Sequence, residues 1–115
     1  MAFFNPQPVN AGNVASLVAK AVSISGGIAR LHRVIATNTN GATRYIQIFD
    51  ATALPANGTV PLITFPLAAG ASTQPPIDFG VYGRTFVNGI VIANSSTEAT
   101  LTVGSADSFF DLLVS

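Results

Sequence analysis

Apolar and polar residues alternate along several stretches of the chain, and this alternation predicts short β-strands. Residues 30–39 follow the period of two that places successive side chains on opposite faces of a strand, and residues 43–50 form a second such stretch. The second stretch is rich in the β-branched and aromatic residues that suit a pleated surface. Asn40 and Gly41 lie between the two stretches and suit the positive backbone angles of a tight turn. We therefore predict a hairpin whose second strand, residues 43–50, is central to the fold.

Further stretches of this kind occupy much of the remaining chain. Two prolines in residues 60–67 remove backbone donors, which predicts a strand at a sheet edge. Gly89, in the middle of residues 85–93, predicts a bulge or a bulky neighbour in that strand. Residues 14–24 would also fit a helix, but the β pattern downstream favours a strand. The other predicted strands are residues 77–83, 97–103 and 109–114.

These strands predict an all-β fold. About eight short strands at this spacing are typical of a two-sheet antiparallel β-sandwich, of jelly-roll or Greek-key type, here spanning residues 14–115. Residues 1–13 contain two prolines and three asparagines, a composition that predicts an extended N-terminal arm. Phe3 and Phe4 on such an arm would have to dock, either on their own domain or on a neighbouring subunit.

The composition points to association with a partner. Hydrophobic residues make up 49% of the chain, but charged residues make up only 9%, against roughly a quarter in an ordinary soluble domain. The formal net charge is +0, so little charge repulsion keeps molecules apart. We expect self-association or burial against another protein. The alternative is a monomer with an uncharged polar coat.

Several classes of partner and compartment are disfavoured. The five basic residues are scattered and balanced by five acids, so no electrostatic footprint for nucleic acid is present. No stretch approaches the roughly 20 apolar residues that a membrane span requires, and the first residues lack the pattern of a secretory signal. Without cysteine there is no disulfide framework or thiolate site. We expect a protein made in the cytoplasm that binds neither nucleic acid nor membrane.

The residues that could carry catalysis do not form a recognisable set. His32 is the only histidine and lies within a predicted strand, which favours a structural role. Asp50 and Asp78 could act as paired carboxylates, as in glycoside hydrolysis, but both lie at strand ends where an ion pair with Arg44 or Arg84, or a turn cap, is the ordinary explanation. No serine lies in a nucleophile elbow. We predict no catalytic residues, no cofactor and no metal site.

Two tyrosines leave a ligand-binding alternative open. Tyr45 and Tyr82 each combine an apolar ring with a polar tip, which suits a platform for sugar. Against this, the chain has no tryptophan, and aromatic residues make up only 9% of it.

The segment from Arg44 to Gly89 carries a resemblance to a known class of protein. Three motifs carry it: Tyr45-Ile46-Gln47-Ile48-Phe49-Asp50-Ala51-Thr52-Ala53-Leu54-Pro55, Gly58-Thr59-Val60-Pro61, and Phe79-Gly80-Val81-Tyr82-Gly83-Arg84-Thr85-Phe86 followed by Gly89-Ile90-Val91. In these motifs the chain resembles small structural proteins of tailed bacteriophages, among them capsid decoration or cement proteins. The motifs consist of strand residues and of the glycines and prolines that end strands, and the resemblance implies no catalytic residue.

The resemblance implies a non-enzymatic virion protein. It would form a homo-oligomer, with a homotrimer as one arrangement, and bind the major capsid protein on the capsid exterior to stabilise the head. Phe3 and Phe4 would then anchor the arm to a neighbour. The alternative from a different class is a receptor- or carbohydrate-binding tip of a tail fibre, with Tyr45 and Tyr82 near the ligand.

Overall fold

The computed structural model describes residues 5–73 and 75–115 and confirms an all-β sandwich. Two antiparallel sheets, of five and four strands, face each other across a common core. Within the described ranges, no helix is long and apolar enough to cross a membrane. The strands are β1 (Gln7–Val14), β2 (Ser16–Ala21), β3 (Ala29–Asn38), β4 (Arg44–Asp50), β5 (Ile63–Leu67), β6 (Ile77–Asp78), β7 (Arg84–Phe86), β8 (Gly89–Ser95) and β9 (Ser108–Val114).

The strand order makes most connections cross from one sheet to the other. The first sheet has the order β1-β9-β3-β6, and β7 also pairs with β3. The second sheet has the order β2-β8-β4-β5. Only β4–β5 and β6–β7 are consecutive strands that remain in the same sheet.

The inner faces of both sheets supply the main core. Leu31, Phe86 and Phe110 from the first sheet and Ile46 and Ile92 from the second are all buried in one cluster. Each such side chain contributes about 1.5–3 kcal/mol relative to an exposed position. The predicted alternation of residues 30–39 holds from Val34 onward, but Leu31 joins the same core because the register shifts between Leu31 and Arg33.

A second, smaller cluster covers the outer face of the second sheet. Phe49, Val91 and Ala93 point outward from that sheet and are buried by Leu101, which lies in the loop after β8. The backbone of Leu101 holds the loop after β4, donating to the Thr59 carbonyl at 2.9 Å and accepting from the Gly58 amide at 2.8 Å. Strand β8 is consequently buried on both faces.

The predicted strand at residues 97–103 is wrong. This segment is a loop that makes only an isolated bridge between Ser95 and Val103. Its backbone carbonyls at Thr97 and Glu98 accept hydrogen bonds from the buried Gln47 side chain, both at 2.9 Å. The hydroxyl of Ser95, at the end of β8, also bonds to this segment, accepting from the Thr102 amide at 2.9 Å, so side chains and not a strand ladder hold it in place.

The predicted hairpin between residues 30–39 and 43–50 is also wrong. These strands are β3 and β4, and they lie in different sheets. The buried Asn38 amide donates to the carbonyls of Ala42 at 2.9 Å and Leu67 at 3.0 Å, which turns the chain across the sandwich. Gly41 is not among the residues with positive φ, so the expected turn angles are not used.

Residues 85–93 form two strands in different sheets, contrary to the single strand predicted. Strand β7 ends at Phe86 in the first sheet, and β8 begins at Gly89 in the second. Gly89 has φ 156°, and a Cβ there would lie 2.5 Å from the carbonyl oxygens of Lys20 and Ala51. The glycine therefore marks the entry into the second sheet, where backbones approach closely.

The predicted N-terminal arm, residues 1–13, includes a strand. Residues 7–13 belong to β1, whose register runs from Gln7 opposite Val114 to Val14 opposite Ser108. Pro8 lies within the strand and does not prevent pairing, because an edge strand needs donors on one side only. The predicted anchors Phe3 and Phe4 lie outside the described residues.

Candidate interaction surface

The loops that follow β2, β4 and β7 begin at one end of the sandwich, and the loop between β6 and β7 lies near it, at the edge of β3 beside residues 31–33. The pairing of Ala21 with Gly89 and of Asp50 with Ile90 brings the ends of β2 and β4 to the start of β8. The pairing of Ala29 with Phe86 brings the start of β3 beside the end of β7. We call this end, with the loops of residues 22–28, 51–62, 79–83 and 87–88, the apolar end. Residues 57–59 of the second loop run over the outer face of the second sheet, where they bond to Leu101 and Val103.

Most of the exposed large hydrophobic side chains of the described residues lie in these loops. Val81 is 82% exposed, and Ile24 and Val60 are more than two-thirds exposed. Only Val18 and Phe109 among such side chains lie elsewhere, on β2 and β9. The full set at the apolar end is Ile24, Ile28, Leu54, Val60, Leu62, Val81, Tyr82 and Val87.

The opposite end is polar and internally bonded. The Thr39 hydroxyl donates to the Asp107 carbonyl at 2.6 Å, and the Asn40 amide donates to the Asp107 carboxylate. The loop after β8 adds Thr97, whose hydroxyl donates to the Thr100 carbonyl at 2.6 Å. The two ends of the molecule therefore differ in chemistry, which a uniform polar coat would not produce.

Asp50 fixes one of the apolar loops. Its carboxylate accepts backbone hydrogen bonds from Val87 at 3.1 Å, Asn88 at 2.7 Å and Gly89 at 3.2 Å. Burial raises the pKa of Asp50, but the three backbone donors outweigh it, so the pKa lies below its ordinary value. Val87, which is 61% exposed, is thus held in a defined position.

The predicted ion pair of Asp50 or Asp78 with Arg84 is not among the contacts of the described residues. Asp50 binds the three amides, and Asp78 accepts the Gly80 amide at 2.7 Å, closing its own turn. Arg84 lies on the short strand β7, exposed and paired in register with Leu31. Both carboxylates therefore organise backbone turns at the apolar end.

Tyr45 and Tyr82 do not share a site. Tyr82 is 71% exposed at the apolar end, and its carbonyl accepts a hydrogen bond from Arg30 at the start of β3. Tyr45 is half-buried at the start of β4, which follows the end of β3. The two tyrosines are separated by the length of β3, about 25 Å for eight residue steps. They cannot form one platform for a small sugar.

His32 takes a structural position. It is 4% exposed, and its Nε2 lies 2.8 Å from the Ser115 hydroxyl. Gly83 passes close to the imidazole, where a Cβ would lie 3.1 Å from Nδ1. Within the described part of the chain, no three acidic or histidine side chains gather as metal ligands.

A cleft opens beside the apolar end between β1 and β2. It has a volume of about 630 Å³ and is lined by Val9, Ala19 and Ile28, with Lys20 and Arg30 at its polar side. The cleft lies where the two sheets are not closed by a connecting strand, so it is a gap at the sandwich edge.

Residue patterns alone missed the apolar end. Ile24 and Ile28 flank Ser25-Gly26-Gly27, and Val81 and Tyr82 lie between two glycines, so each loop had apolar residues beside turn residues. That signal was available, but only the pairing of the strands shows that these loops meet.

Comparison with family models, with curated proteins and with solved structures finds no match to this chain.

Proposed function

We propose that this chain is a non-enzymatic virion structural protein, a capsid decoration or cement protein that associates with itself and binds the outer capsid surface. The observation that carries the proposal is the gathering of exposed Ile, Leu, Val and Tyr side chains at one end of the sandwich. A concentration of exposed apolar side chains on one part of the surface is characteristic of protein–protein contact. The resemblance of the Arg44–Gly89 segment to phage structural proteins supplies the virion setting.

The apolar end suits attachment to a large, weakly charged surface. Burying an exposed Val or Ile side chain contributes about 1.5–3 kcal/mol each before the costs of association. Asp50 and Asp78 use their carboxylate oxygens for backbone amides, so less of their charge must be desolvated on docking. The rigid turn at Val87 reduces the entropy that docking would cost.

The test is cosedimentation with capsids of the encoding phage that were assembled without this protein. Val81→Asp and Val87→Asp place a charge in the apolar end and are expected to weaken binding at least tenfold. Ala69→Asp is the matched control, because residue 69 is exposed in the loop after β5, at the opposite end. Equal binding of all three variants would refute attachment through the apolar end.

The tail-fibre alternative makes a different prediction. Because Tyr45 and Tyr82 lie far apart and Tyr45 is half-buried, Tyr82 is the one of these two tyrosines that offers an exposed ring for sugar. A glycan array with the wild type and Tyr82→Ala separates the two functions. Binding of a defined glycan that disappears in Tyr82→Ala would favour the fibre-tip function over capsid decoration.

A further inference from the structure

Strand β1 presents an open backbone edge. It is the outermost strand of the first sheet, paired with β9 on one side. It runs for eight residues without a charged side chain. An edge of this length offers a row of backbone donors and acceptors to any second strand.

The other edge strands carry features that discourage such pairing. Strand β2 includes Lys20 and a register shift between Val18 and Lys20. Strand β5 has five residues, one of them Pro66, while β6 and β7 have only two and three residues. Charge, proline, irregularity and short length all protect sheet edges. Among the described strands, β1 is the longest edge. It has no charged side chain, but it includes Pro8 and a register shift between Ala11 and Val14.

The hydrogen bonds of β3 fix which backbone groups point along the first sheet. On its side away from β9, the Asn38 amide donates to the Ala71 carbonyl at 2.8 Å, and the Ala36 carbonyl accepts from the Thr73 amide at 2.9 Å. Because the N–H and C=O groups of successive residues point to opposite sides of a strand, those of Ile35 must point toward β9.

The same alternation continues through β9 to β1. Ile35 lies opposite Asp111, so the backbone N–H and C=O groups of Asp111 point toward β3. Those of the next residue, Leu112, point toward β1, where Leu112 lies opposite Val9. Val9 therefore bonds to β9, and the backbone groups of Pro8 and Asn10 face the open side. Pro8 has no N–H to leave unsatisfied there, which fits an edge position.

We propose that β1 pairs antiparallel with β1 of a second copy, with Asn10 opposite Asn10. The two Asn10 residues then exchange both N–H···O=C bonds. In this register Gly12 of each copy lies opposite Pro8 of the other, at the point where the register of β1 with β9 shifts between Ala11 and Val14. Since β1 carries no charge, the symmetric pairing brings no like charges face to face.

The ring of Phe109 adds an apolar contact to this pairing. It lies over Gly12, where a Cβ would come 2.5 Å from the ring, and it is 43% exposed. The partner's Pro8 would lie beside Gly12 and could pack on the ring. Asp111 of each copy would remain about 14 Å apart, three strand spacings, where screening by salt is strong.

This inference rests on the self-association part of the proposed function and gives it a surface. The result is a closed two-fold pair instead of the trimer that the resemblance suggested, because identical edges meet face to face. The apolar end lies outside the paired edge and stays available for the capsid.

Cysteine crosslinking tests the pairing directly, because the chain contains no cysteine. In a hydrogen-bonded antiparallel pair the two Cα atoms lie about 5.5 Å apart, within the range that a disulfide spans. Asn10→Cys is therefore expected to form a covalent dimer under mild oxidation. Thr64→Cys is the matched control, exposed on β5 at an edge of the other sheet. We expect Asn10→Cys to crosslink at least tenfold faster, and equal rates would overturn the proposal.

Light scattering across a dilution series separates this inference from the proposed function. Asn10→Lys places like charges opposite each other and is expected to shift the wild-type dimer to monomer, while Thr64→Lys leaves it unchanged. Circular dichroism checks that both variants are folded. An oligomer that persists in Asn10→Lys would overturn β1 pairing but not self-association. A monomeric wild type at all concentrations, with no crosslinking of Asn10→Cys, would overturn β1 pairing, and capsid cosedimentation would still decide the capsid-binding proposal.

Discussion

The carboxylate of Asp50, at the end of β4, accepts a hydrogen bond at 2.7 Å from the backbone amide of Asn88, which lies between β7 and β8. Val87 and Gly89 donate to the same carboxylate. These bonds hold the point at which the chain leaves the first sheet for the second. One side chain thus fixes both the sheet crossing and the position of the exposed Val87.

Replacing Asp50 with asparagine should destabilise the fold. An amide keeps one acceptor oxygen, but it loses the charge and the second oxygen that the three donors share. Hydrogen bonds to a charged group contribute about 1.5–3 kcal/mol each, and part of that is retained, so we expect a loss of about 1–3 kcal/mol in the free energy of unfolding at pH 7. Urea unfolding measures it. Asp111→Asn, exposed on β9, is the control and should change stability by less than about 0.5 kcal/mol. Equal stability of the wild type and Asp50→Asn would show that the hydrogen bonds of the Asp50 carboxylate to the three amides do not stabilise the fold.

The contribution of Asp50 should depend on pH in a defined direction. Burial raises the pKa of Asp50, but its backbone hydrogen bonds lower the pKa by more than burial raises it. The folded pKa therefore lies below the ordinary value of about 3.9. A lowered pKa gives stabilisation that is complete above the unfolded pKa and is lost as pH falls through the folded pKa. The stability difference between the wild type and Asp50→Asn should therefore be constant between about pH 5 and 7 and narrow below about pH 4. A stability difference that grows on acidification would show that the pKa of Asp50 is raised by folding and not lowered.

Asp50 and Asn38 also explain why the strands were predictable and their partners were not. Local sequence identified β3, β4 and β9 within a residue or two, β3 from its alternation and β4 from its β-branched and aromatic residues, because pleated, half-buried surfaces favour both signals. The predicted hairpin and the predicted single strand over residues 85–93 both failed where the chain changes sheet. At those two points, a polar side chain bonds to backbone groups that are far away in sequence or outside its own strand. No local pattern contains that information.

The candidate surface was hidden for the same reason. Val60 and Val81 are isolated apolar residues in loops, and single exposed apolar residues are common on any protein. Their significance depends on several loops meeting at one end, which follows from the strand order and not from composition. The low charge of the chain predicted association, but it could not indicate a face.

Gly89→Ala should be strongly destabilising. The added methyl would lie 2.5 Å from the carbonyl oxygens of Lys20 and Ala51, both backbone atoms that cannot rotate away. We expect a loss of about 3 kcal/mol or more, or failure to fold. Gly41→Ala is the control, because nothing lies within 4 Å of its added methyl and its φ is not positive. Thermal unfolding of the two variants gives the comparison, and similar melting temperatures would mean that the entry to β8 is looser than described.

Leu101→Ala tests whether the loop after β8 is part of the core. Leu101 is fully buried against Phe49 and Val91, although it lies in no strand. Truncating a buried leucine leaves a cavity and costs about 2–5 kcal/mol, whereas a loop residue that only covers a surface costs far less. Leu54→Ala, 38% exposed in the loop after β4, is the matched control. Hydrogen exchange adds a local measurement, because the Gly58 amide donates to the Leu101 carbonyl and should exchange faster if the loop detaches. Equal stability of the two leucine variants would show that the outer face of the second sheet is not sealed, and this face would then become a second candidate for partner binding.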